Sequence, residues 1–156
     1  MKIKIMSKRA IEKYAETPMT EKVAVISITD ARGDFAILTN QPEYIFKVAF
    51  DDVDNDVIID EVGQNASEEE RKQVEKKYKM FSDEQAEDMA TFYFSICENV
   101  ECIICQCEHG QSRSAAVAAA IMEFRNRRGI KVFADDRYYP NKVVFRKLLA
   151  ELKNRG

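Results

Sequence analysis

The chain has 156 residues, 46% hydrophobic and 33% charged, with a formal net charge of −3 at pH 7, an ordinary globular composition large enough for one domain with a buried core. The acidic balance argues against a general nucleic-acid binder, which carries a basic excess or a basic face. No apolar run approaches the roughly 20 residues that span a bilayer, and Met1-Lys2-Ile3-Lys4-Ile5 lacks the apolar core and cleavage site of a secretory signal, so a cytoplasmic location is expected.

In chain order, Lys2 to Met6 alternates and predicts a short first strand. Ser7 is placed to cap a helix through about Tyr14, which Thr17-Pro18 breaks. Val23 to Thr29 predicts a strong strand ended by Asp30-Ala31-Arg32-Gly33. Tyr44 to Phe50 predicts another, running into the acidic stretch Asp51-Asp52-Val53-Asp54-Asn55-Asp56.

From Asn55 to Lys79 the sequence is highly charged. Ser67 with Glu70 makes a capping-box pattern, and acids there precede Lys76, Lys77 and Lys79, an order that suits the helix dipole. The expectation is a charged, solvated helical insertion at about 55–79 within a single domain spanning 1–156. Ser82 with Gln85 repeats the capping pattern, and Ala86, Met89, Ala90, Phe92, Tyr93, Ile96 and Cys97 follow at core-like helical spacing. Glu101 to Cys105 predicts a strand buried on both faces of a parallel sheet. An alanine-dominated helix follows over Ala115–Phe124, with Arg127-Arg128-Gly129 suited to end it. A last helix, from about Asn141 to Leu152, turns Val144, Leu148, Leu149 and Leu152 to the core. Strands alternating with helices predict an α/β fold, a single central mainly parallel sheet flanked by helices.

The four cysteines, Cys97, Cys102, Cys105 and Cys107, crowd one short region, whereas a disulfide scaffold spreads them to close loops. They read as reduced thiols, some of them small core residues. Cys102, Cys105, Cys107 and His109 superficially resemble zinc spacing. Ile103-Ile104 reads as strand, however, and strand residues cannot converge on one ion, so no metal is expected.

The segment that carries chemistry is Cys107-Glu108-His109-Gly110-Gln111-Ser112-Arg113-Ser114, between a buried strand and a helix start. A helix N-terminus offers unpaired N–H groups and a positive dipole end. Successive N–H groups in a tight loop can form a nest around a tetrahedral oxyanion. Gly110 allows backbone angles that a side chain resists, and Arg113 can grip two phosphate oxygens at once. Cys107 would lie at the base of that cradle, where the groups that bind phosphate also favour a thiolate. Ser114 could donate to its sulfur. His109, the only histidine, belongs to a loop whose side chains should splay outward, so a rim role is favoured over catalysis.

Cys107 to Ser114 resembles the signature loop of the protein tyrosine phosphatases: Cys, five residues, Arg, then Ser or Thr. Ala115 to Ile121 is similar to the small prokaryotic or phage-type branch near the dual-specificity phosphatases, as is Tyr139-Pro140-Asn141 followed by Leu148-Leu149. The resemblance covers about the last third of the chain, and the earlier half only by strand order. It implies a cysteine-dependent phosphatase fold and hydrolysis of phosphate monoesters (phosphotyrosine, or phosphoserine and phosphothreonine) through a phosphocysteine. The implied partner is a phosphorylated protein or small phosphomonoester, without cofactor, nucleic acid or membrane. Residues 108–113 would bind the phosphate, and Cys107, Arg113 and Ser114 would act in catalysis.

The family places a general-acid Asp after an upstream strand, which Val48-Ala49-Phe50-Asp51-Asp52 matches. Relatives reading Phe-Asp-Asp favour Asp52, with Asp51 as the alternative and Asp54 a distant third. The chain departs from the family at Gln106, where a His is usual. A non-catalytic phosphate-binding module is the alternative reading.

Overall fold

The computed structural model describes residues 1–156. Four strands, β1 (Lys2–Ser7), β2 (Val23–Thr29), β3 (Tyr44–Ala49) and β4 (Cys102–Cys107), form one sheet in the order β1-β4-β2-β3. Every pairing is parallel, so the expected mainly parallel sheet is parallel throughout. The helices are α1 (Lys8–Tyr14), α2 (Asn55–Val62), α3 (Glu68–Glu75), α4 (Asp83–Ile96), α5 (Arg113–Asn126), α6 (Ile130–Phe133) and α7 (Lys142–Arg155).

β2 and β4 are buried along their whole length, because they occupy the centre and are covered on both faces. Side chains of a strand alternate between faces, which splits these two strands between two cores. Ala24, Ile26, Ile28, Ile103, Cys105 and Cys107 join the larger core with α4, α5 and α7. Val23, Val25, Cys102 and Ile104 join the smaller one with Ile11 and Ala15. Each fully buried isoleucine contributes about 1.5–3 kcal/mol. No helix is long and apolar enough to cross a membrane.

Caps set the helix starts. Ser7 Oγ accepts from Ala10 N–H at 3.1 Å, and Ser82 with Gln85 forms the full reciprocal box at the head of α4. Asn141 Oδ1 accepts from Val143 and Val144 N–H at 3.0 and 3.1 Å, starting α7.

Three expectations are corrected. The 55–79 segment holds two short helices instead of one: α2 stops at Gly63, whose φ of +85° interrupts the helical path. Ser67 caps α3 through Glu70 N–H at 3.2 Å, without the reciprocal half of the box. At the end of α5 the left-handed residue is Arg127, with φ 57°. Gly129 serves close approach instead, since a Cβ there would lie 2.7 Å from Ala119 O.

Candidate active site

In open α/β sheets, ligands bind outside the carboxyl ends of the strands, and the sequence-predicted loop lies there. β4 continues two residues past its expected end, so Cys107 is its last residue, opposite Ser7 of β1. The chain then turns through residues 108–112 into α5, which likewise starts two residues before its expected first residue, at Arg113.

None of the N–H groups from Glu108 to Ser112 donates to a protein acceptor, and α5 has no side-chain cap. Unpaired N–H groups at the head of a helix are suited to form a nest for an anion. Gly110 has φ +66°, and a Cβ there would lie 2.6 Å from Ser7 N and 2.7 Å from Met6 C. Only glycine lets the loop close against the end of β1. Lys8 N–H fixes the outer side by donating to Glu108 O at 3.1 Å. The side chains of Glu108, His109 and Gln111 are exposed, so these residues meet the nest through backbone.

Cys107 Sγ lies 3.0 Å from Ser114 Oγ, and both residues are buried. Gln106 points to the opposite face of β4, where Ser27 Oγ donates to its Oε1 at 2.6 Å. Its Nε2 donates to Cys107 O at 3.0 Å. A neutral amide thus fixes the backbone immediately before the loop. Burial pushes the thiols of Cys102 and Cys105 up, and they lie in separate cores.

Arg113 is 4% exposed. Its Nη1 donates to Phe50 O at 2.8 Å and meets Asp30 Oδ1 at 2.8 Å, while the guanidinium lies 6.0 Å from the Phe50 ring centre. Nε is buried without a partner. Leaving such a donor unsatisfied costs about 1–3 kcal/mol, and an oxyanion accepting from it would recover that cost. Asn141, also buried, sends Nδ2 to Asp52 Oδ1 at 3.0 Å and to Val53 O at 3.2 Å.

The structure sorts the three candidate acids. Asp51 has both oxygens committed, accepting from Ala31 N–H at 3.1 Å and Lys79 N–H at 2.8 Å. Asp54 caps α2 through Val57 N–H at 3.0 Å. Asp52 is exposed, and its Oδ1 accepts from Ser112 Oγ at 2.8 Å as well as from Asn141. Of the three, Asp52 alone is bonded to the loop that Cys107 opens.

Sequence reasoning gives no role to Asp30 or Ser27, and places Asn141 only in the family-like Tyr139-Pro140-Asn141 segment and at the start of the last helix. Asp30 follows the last residue of a parallel strand, a position where sites are built. Pro140-Asn141 ahead of an apolar-periodic run signals a helix cap, though not the second bond to Asp52. Ser27, inside an apolar strand, was visible only as a polar residue needing a partner.

No family model matches the chain, and no curated protein matches it. Among solved structures the chain is similar to human DUSP28, with a TM-score of 0.54 and 15% identity over 98% of this chain and 92% of that one. It is also similar to a mouse dual specificity phosphatase complexed with zinc tungstate, with a TM-score of 0.51 and 14% identity over 97% of this chain and 81% of that one. The α/β fold is therefore that of the dual-specificity phosphatases.

Proposed function

We propose that the chain is a cysteine-dependent phosphatase that hydrolyses phosphate monoesters, phosphotyrosine in proteins among them, through a phosphocysteine. The observation that carries this reading is the convergence at one loop. Cys107 ends β4 beneath unpaired N–H groups, Arg113 Nε is buried without a partner, and Asp52 is bonded to Ser112 in the same loop. The tungstate of the mouse structure is a tetrahedral oxyanion, as phosphate is, and is compatible with that reading.

The nest amides and Arg113 hold the nonbridging oxygens of the substrate, where charge must be stabilised. The Cys107 thiolate attacks phosphorus as the P–O bond to the leaving group breaks. Asp52 supplies a proton to the departing oxygen. In the second step a water attacks phosphorus and gives its proton to Asp52, now ionised. The S–P bond breaks, releasing inorganic phosphate and restoring the thiolate. Ser114 donates to the sulfur as it leaves. Gln106 and Asp30 act through others, the first on the Cys107 carbonyl and the second on the Arg113 guanidinium.

The test is hydrolysis of a generic aryl phosphate. Wild type should turn it over, vanadate should inhibit, and EDTA should leave the rate unchanged. Turnover by Cys107→Ser at the wild-type rate would refute the mechanism.

A further inference from the structure

We infer that the cleft beside Asp52 receives a second anionic group of the substrate, an acidic residue flanking the phosphorylated one in a protein. The inference rests on the phosphatase reading and names the substrate class for that site. The cleft has a volume of about 830 Å³ and is walled by three segments: Asp30 to Gly33, Asp51 to Val53, and Lys76 to Lys79.

Its charges are unequal in availability. The carboxylates are occupied: Asp30 pairs with Arg113, Asp51 accepts two backbone N–H groups, and Asp52 accepts from Ser112 and Asn141. Among the cations, Lys77 pairs with Glu61 at 3.4 Å. Arg32, Lys76 and Lys79 are exposed and take part in none of the salt bridges. Against the three carboxylates of Asp30, Asp51 and Asp52 the four cations leave the lining one excess positive charge, in a chain of net charge −3.

The wall is also fixed in place. Lys79 N–H donates to Asp51 Oδ2 at 2.8 Å and Asp51 N–H donates to Lys79 O at 2.7 Å, a two-way tie to the acid loop. Tyr78 donates to Glu61, so the segment is tied to α2 as well as to the acid loop.

Position selects the occupant. Asp52 protonates the leaving oxygen, so the leaving group of the ester lies on the Asp52 side. Asp52 also lines the cleft, so chain flanking a phosphorylated residue extends there. Each exposed ion pair adds little, so two or three together should give about a 3- to 30-fold preference, weakened by salt.

The experiment compares kcat/KM for two phosphotyrosine peptides that differ only in flanking residues, Asp and Glu in one, Asn and Gln in the other. Wild type should favour the acidic peptide by about that factor, and less so at raised salt. The double variants Lys76→Gln/Lys79→Gln and Lys76→Glu/Lys79→Glu should respectively remove and invert the preference, each with its far-UV circular dichroism compared with wild type. Equal rates on both peptides, a preference kept by the charge-reversed protein, or turnover of aryl phosphate but of neither peptide would each overturn the inference alone. Absence of aryl-phosphate turnover would instead remove the phosphatase reading, and the inference with it.

Discussion

Ser112, at the mouth of α5, donates its hydroxyl to the carboxylate of Asp52 across 60 residues of sequence, at 2.8 Å. This bond joins the loop that would hold phosphate to the residue that would protonate the leaving group. Asn141 reinforces it while capping α7, so two separate segments fix one oxygen of Asp52.

Asp52→Asn should therefore lower kcat on an alkyl or phenyl phosphate by about 10²- to 10⁴-fold, the usual weight of general acid catalysis. The loss should shrink for an ester whose leaving group needs no proton. Asp51→Asn should act mainly on stability, by about 1–3 kcal/mol, because its two carboxylate bonds are structural. Rates on two esters of different leaving-group basicity, beside thermal melts, separate the two acids.

Gln106→Leu should lower stability by about 1–3 kcal/mol, since Ser27 and the Cys107 carbonyl would lose their buried partner. It should also lower kcat/KM, because the backbone before the loop would no longer be held. A melt and an aryl-phosphate assay on one preparation measure both. Unchanged values for both would show that the amide positions nothing.

Limited alkylation at neutral pH should mark Cys107 ahead of Cys102 and Cys105. Burial raises the pKa of both of the latter, keeping them as thiols, and the thiolate is the form that reacts. Peptide mapping after partial reaction with iodoacetamide gives the order, and phosphate or vanadate should protect Cys107.

Acid should loosen the 76–79 wall before the sheet. Hydrogen bonding from Tyr78, then attraction to Lys77, holds the Glu61 carboxyl below its ordinary 4.5. A folded-state pKa below the unfolded one gives stability that is present above pH 4.5 and lost as pH falls through the folded value. Amide-exchange protection of residues 76–79 should fall across that window in wild type. Glu61→Gln should lack the step.

The sequence made the fold legible where one signal decided it. The apolar run of β4 read directly as a strand buried on both faces and that of β2 as a strong strand, and Ser7 and Ser82 marked their helix starts. Cys107, Gly110 and Arg113 read as a candidate phosphate cradle because backbone, glycine and guanidinium at that spacing would serve one ligand. The remainder depended on contacts between distant segments. Nothing local distinguishes Asp52 from Asp51, and the structure separates them only through Ser112 and Lys79. The Ser27–Gln106 bond spans 79 residues, and the pairing of Asp30 with Arg113 exists only once β2 and β4 are neighbours. Gly63, a single glycine inside a charged helical pattern, is a weak break signal by itself.

The most direct test of the central claim is to trap the covalent intermediate. Rapid acid quenching of the enzyme turning over a ³²P-labelled aryl phosphate should yield label bound through sulfur at Cys107. Cys107→Ser should carry no such thiophosphate, and Asp52→Asn, slowed in the step that hydrolyses the intermediate, should accumulate it with an ester of good leaving group. Wild-type turnover with no label on Cys107 at any quench time, or label carried by another residue, would contradict the account.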